Sequence, residues 1–343
     1  MAQKLGLRHA LVQEVNGQVV RLRRRCKRVS GRCFPRSSLG RLVVVIVSVT
    51  GLFACRPGDE SATEGTTQAG NLSVITVNYP LSYFSERIGG DAVEVNFPAP
   101  SDEDPVFWTP NAATIRAYQE ADVILLNGAS YAKWAARATL PQGKLVDTSS
   151  GFRDRYIAVA DAVTHSHGPE GEHSHTGTAF TTWLDLRLAI EHANSIQDEF
   201  AQLRPTESVR FEKGFASLKN DLLELDGKLD QVFSQVGDDP VLGSHPVYQY
   251  LMRRYGLNLK SVYFEPDAAP SDAQWVKLRA LLVTHPAKRM LWEAKPLPET
   301  ASKLTALGVE SIVFSPCGNR PASGDFLSVM RANLKNVQLA FMD

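Results

Sequence analysis

From Leu72 onward, short apolar runs alternate with amphipathic stretches. Residues 72–79, 92–97, 122–128 and 144–149 read as strands, being short runs rich in Val, Ile and Leu with turn-forming residues around them. Helical spacing lies between them at 113–120 and 131–139. The second half repeats this style, with strands at 240–244, 259–264, 289–294 and 309–314. Its helices are expected at 246–255, 271–284, 298–307 and 323–334, and Ser271 with Gln274 has capping-box spacing. Strands alternating with helices predict an α/β fold of two Rossmann-like lobes with mainly parallel sheets.

A long helix separates the two halves. Phe211, Phe215, Leu218, Leu222, Leu225, Leu229, Val232 and Val236 recur at alternating steps of four and three, which puts them on one stripe. Pro205 precedes the stripe, and Gly237 and Pro240 follow it. The pattern predicts a rigid spine at 206–237 that joins an N-terminal lobe, 72–205, to a C-terminal lobe, 238–343. A two-stranded coiled coil is the alternative, weakened by Gly214 and Gly227.

Charge changes the picture only at the N-terminus. The chain has 37 basic and 37 acidic residues, but eleven of the basic ones and a single acid lie in residues 1–55. The remainder holds 26 basic against 36 acidic residues, a surplus of acid that nucleic acid would repel. The basic stretch ends at Arg41 and is followed by an apolar run, 42–54, and Cys55. That run is shorter than the roughly 20 residues a membrane-spanning helix needs. It reads as a signal peptide, and Leu52-Phe53-Ala54-Cys55 resembles a bacterial lipobox, with Cys55 as the lipidated residue. An uncleaved signal anchor is the alternative. Residues 56–71 have no large apolar side chain and read as a flexible tether. Cys26 and Cys33 would leave with the signal, so Cys317 is the one thiol expected in the mature protein.

Four of the eight histidines, His165, His167, His173 and His175, fall within the loop 164–177. Such a tract is either metal-attracting or a solvated polar loop. No nucleophile elbow, zinc-protease helix or phosphate loop is present, so an enzyme is not expected.

Three stretches carry a resemblance: Ser244-His245 followed by Tyr250 and Tyr255-Gly256-Leu257; the acidic-Pro segment 265–271; and Glu293 at a strand end. With the lipobox, tether, spine and His-rich loop, they resemble the substrate-binding lipoproteins of zinc and manganese ABC importers, the cluster A-I or periplasmic zinc-binding type. The resemblance covers the chain from about Leu72 to its end. It implies one divalent ion held between the lobes by two side chains from each, usually three histidines, or two histidines and a Glu, with one Asp. His245 matches the family's second-lobe histidine. Asp104 stands where a first-lobe His is usual, Thr181 where the second first-lobe His is usual, and Ser315 where the final Asp is usual. The candidate cleft ligands are therefore His245, Asp104 and Glu293, with Glu103, Asp102, Asp185 or Cys317 as substitutes. The loop histidines would be weak auxiliary sites.

The resemblance implies a lipid-anchored, monomeric, extracytoplasmic protein on the periplasmic or outer face of a bacterial membrane. It would capture zinc, or manganese or another divalent ion, for an ABC permease and its ATPase. The alternative is a divergent paralogue with a degraded metal site that binds another solute or acts as a surface interaction protein.

Overall fold

The computed structural model describes residues 70–159, 164–166, 172–174 and 177–342, the two tripeptides as backbone alone. The signal segment, Cys55, the tether up to residue 69, His167 and His175 lie outside the described residues.

The first sheet is built from β1 (Leu72–Thr76), β2 (Val93–Asn96), β3 (Val123–Leu126) and β4 (Leu145–Asp147), in the order β2-β1-β3-β4. All its pairings are parallel. Helix α1 (Tyr79–Gly89) connects β1 to β2, and α2 (Ala112–Glu120) leads into β3. After β4 come two short antiparallel ribbons. One pairs β5 (Ala158–Val159) with β8 (Gly177–Thr178), and the other pairs β6 (Thr164–Ser166) with β7 (Glu172–Ser174). The backbone register sets His165 opposite His173. Helix α3 (Leu186–Leu203) and the long α4 (Ser208–Phe233) follow.

The second sheet repeats the first in topology. It contains β9 (Val241–Gly243), β10 (Leu259–Ser261), β11 (Arg289–Trp292) and β12 (Glu310–Val313), ordered β10-β9-β11-β12 and again wholly parallel. Its helices are α5 (Gln249–Tyr255), α6 (Asp272–Thr284), α7 (Pro298–Ala306) and α8 (Phe326–Met342). The fold is the expected α/β arrangement with two parallel sheets and a long helix between them. The Ser271–Gln274 capping box is formed at the start of α6. Among the described residues, no helix is long and apolar enough to cross a membrane.

Two helices are absent from the sequence reading, and one expected helix is not formed. α1 begins at Tyr79, within the run read as a strand. Asn78 caps it, accepting a hydrogen bond from the Leu81 amide, and Pro80 sits in its first turn, where a missing N–H costs nothing. α3 is capped by Asp185, whose carboxylate accepts from the Arg187 and Leu188 amides. The helix expected at 131–139 is instead a single 3₁₀ turn, Lys133–Ala136. Gly128, Ala129 and Ser130 all have positive φ just before it, so the chain enters the turn from a backbone state that no α-helix shares. Trp134 is then pinned edge-on to Tyr118, with ring centroids 4.8 Å apart.

The spine packs as its stripe predicts. Phe211, Leu218, Leu222, Leu225, Leu229 and Val232 are buried, and α4 lies against α1, α3, α5 and α8. Gly214 lets α4 approach α1 closely. A Cβ there would stand 2.4 Å from the Ile88 carbonyl oxygen. α8 crosses back to the first lobe, where Phe326 meets Phe84 edge-on at 5.3 Å. One core cluster therefore draws on both sheets, while a second, containing Phe264, Trp275, Met290 and Trp292, fills the far side of the second sheet.

Candidate metal centre

In an open parallel sheet, ligands bind beyond the carboxyl ends of the strands, where successive connections leave in opposite directions. In the second sheet that point lies between β9 and β11, because β9 has β10 on one side and β11 on the other. His245 stands just past β9 and Glu293 directly after β11, while Glu265 closes the extended run after β10. The strand order thus sets an imidazole between two carboxylates. His245 Nδ1 lies 3.6 Å from Glu265 Oε1 and 3.9 Å from Glu293 Oε1. The ring is 4% exposed and meets Tyr263 edge-on.

Asp104 reaches the same cleft from the first lobe, on the exposed loop after β2. Its Oδ1 accepts from the Val106 amide at 3.0 Å, a local turn that orients the carboxylate. The electrostatics show the proximity. Burial, then the charges of Asp104 and Glu265, push the Glu293 carboxyl up to about 8. Burial, then Asp267 and Asp104, push Glu265 up to about 7. Three acids with raised or mutually repelling charge facing one imidazole form a site that a cation would relieve. The cleft that contains them has a volume of about 1190 Å³.

The other candidates have different work. Thr181 is buried in the cleft wall, and its hydroxyl donates to the Val247 carbonyl at 2.5 Å, tying one lobe to the other. The Ser315 hydroxyl accepts from the Cys317 amide at 3.3 Å. Cys317 lines the cleft but is buried, and burial pushes its thiol up to about 12, so the metal-binding thiolate is not available at neutral pH. Asp185 is the α3 cap and faces Arg253 and Arg254. Asp102 and Glu103 are exposed at the cleft rim. Glu265 is not among the candidates read from the sequence, although it opens the quoted segment 265–271. Its position at the end of a predicted strand, like that of Glu293, is the signal that marks it. Among the described residues, no three or more His, Cys, Asp or Glu are closed tightly enough to hold an ion as they stand.

The profile of the family described as zinc-uptake complex component A, periplasmic, matches residues 74–340. The chain belongs to this family. Among similar proteins of the zinc-uptake component family and its relatives, the zinc-binding lipoprotein AdcA of Streptococcus pneumoniae is 24% identical over 307 residues, covering 86% of this chain and 60% of that protein. This chain therefore spans less than two thirds of AdcA. The manganese ABC transporter substrate-binding lipoprotein PsaA of Streptococcus anginosus is 23% identical over 309 residues, covering 87% of this chain and 97% of PsaA. The solved structure of the metal-dependent lipoprotein YcdH from Bacillus subtilis superposes with a TM-score of 0.67 at 22% identity, over 79% of this chain and all of YcdH. That likeness places the chain in the two-lobed fold of the zinc-uptake component family.

Proposed function

We propose that this protein is a lipid-anchored solute-binding protein that captures one divalent transition-metal ion between its lobes for an ABC permease and its ATPase. His245, Glu265 and Glu293 would hold the ion from the second lobe and Asp104 from the first. The observation that carries this reading is the buried imidazole flanked by two carboxylates of raised pKa at the carboxyl ends of adjacent parallel strands. Cys55 would carry the anchor. Binding and release are the whole of the activity, with no covalent step.

One nitrogen and three oxygen donors suit manganese as well as zinc, because oxygen-rich sets favour harder ions. The histidines of the loop 164–177 would serve as weak auxiliary donors, as the resemblance implies. The hydroxyls of Thr181 and Ser315, both engaged within the protein, favour the second reading, a paralogue whose metal site has lost strength.

Elemental analysis of dialysed, tag-free protein separates the two. One equivalent of zinc or manganese, lost in His245→Ala but kept when 168–176 is deleted, is the expected result. Absence of metal, or metal lost only with the loop deletion, would leave the paralogue reading.

A further inference from the structure

The Asp104 loop is held in part by its own turn, in which the Phe107 and Trp108 amides donate to the Asp104 carbonyl at 3.0 Å and the Val106 amide donates to its carboxylate. Asp102, Glu103 and Asp104 are consecutive acids, all exposed. Further support comes from the other lobe. The segment 316–320, which follows β12, is bound to the first lobe along its length. Trp183 Nε1 donates to the Pro316 carbonyl at 2.8 Å, and the Tyr79 amide donates to the Gly318 carbonyl at 3.0 Å. The Arg320 guanidinium donates to the Phe97 carbonyl at 2.9 Å and stacks 5.1 Å from the Phe97 ring centroid.

Asn319 makes the contacts nearest the site. Its Nδ2 donates to the Pro100 carbonyl at 2.6 Å and to the Glu103 carbonyl at 2.7 Å. Its Oδ1 accepts from the Arg320 amide at 2.7 Å. That last bond fixes the orientation of the carboxamide, and both amide hydrogens then have carbonyl acceptors. One side chain thereby clamps residues 100 and 103, and Asp104 is the next residue along the chain.

We propose that Asn319 is a positioning residue for metal capture. It fixes the loop so that the Asp104 carboxylate faces His245, Glu265 and Glu293 before an ion arrives. This rests on the reading of Asp104 as a ligand. Supporting groups of this kind typically change metal affinity about 10- to 100-fold when removed.

The test is a double-mutant cycle read as the dissociation constants for zinc and for manganese by calorimetry, with melting of the metal-free proteins alongside. Asn319→Ala should weaken binding at least about tenfold. Asn319→Asp, equal in size but with an oxygen facing the two carbonyls, should weaken it at least as much. In an Asp104→Asn background neither change should matter by more than about twofold, because the group being positioned is gone. Equal losses in both backgrounds, or no loss in either, would overturn the positioning role while leaving the ligand set in place. Wild-type affinity indifferent to Asp104→Asn would show that Asp104 is no ligand, and would remove the ligand assignment and the proposal together.

Discussion

At the scale of the residue, burial shifts the cleft acids and one core histidine in opposite directions. Glu265 and Glu293 hold protons up to about 7 and about 8 because burial and neighbouring carboxylates disfavour their charges. A metal held as proposed would displace those protons, so affinity should fall as pH drops from about 8 through 7. Calorimetry at pH 7 in buffers of different ionisation enthalpy should detect one or more protons released per ion, and buffer-independent heats would contradict the site. His192 is different. It is fully buried as a neutral ring between the Thr148 and Thr182 hydroxyls, 2.7 and 2.8 Å away, and burial pulls it down to about 3. The unfolded chain takes up that proton near 6.5, so between about 6.5 and 3 it binds more protons than the folded one. Its contribution to stability is complete above 6.5 and declines as pH falls toward 3. Replacing His192 with Gln should flatten the acid side of a denaturant-midpoint profile taken from pH 7 to 4. His245 was legible from its segment, whereas His192 was not, because nothing in its sequence neighbourhood shows that two threonine hydroxyls converge on it.

Among elements, α4 contains two glycines that its sequence pattern treats alike and the packing does not. Gly214 touches the backbone of α1, and a methyl group there would press on carbonyl oxygens of Ile88 and Arg87 that cannot swing aside. Gly214→Ala should cost about 1–3 kcal/mol. Gly227 has open space around it, so Gly227→Ala should gain up to about 1 kcal/mol from helix propensity. Urea unfolding of both variants reads the difference, and equal effects would mean that α4 and α1 are not in close contact. The stripe on α4 was visible because a single helix face buries it over seven turns. α1 and α3 were not, since their starts are defined by the caps Asn78 and Asp185 more than by any long apolar period. The His-rich loop was the most conspicuous feature of the sequence, yet the site that the structure assembles depends on the strand order, which no local pattern discloses.

Across the whole molecule, the lobes are joined by more than the spine. Asp226 on α4 is fully buried and accepts from Arg187 of α3 at 2.7 Å and from Arg254 of α5 at 2.8 and 2.7 Å. Tyr255 adds a hydrogen bond at 3.2 Å. Both arginines reach water, so Asp226→Asn should cost about 2 kcal/mol, less than the roughly 3–5 kcal/mol for a fully enclosed pair. Thr181, Trp183 and Asn319 link the lobes at the cleft itself. Ion capture should therefore bring a small tilt with local ordering, and scattering with and without metal should agree in radius of gyration to within about 1 Å, small beside a hinge closure. A change of several ångströms would show that these ties open.

The return of α8 to α1 bears on how such a chain is made. The last helix covers an aromatic face on the first, with Phe326 against Phe84 and Tyr83. A nascent polypeptide that stops short of Phe326 has every strand of both sheets and still leaves that face wet. Phe84 and Phe326 must find each other across 242 positions of the chain, a slow, non-local closure. That aromatic contact is therefore completed only after every described strand has been made.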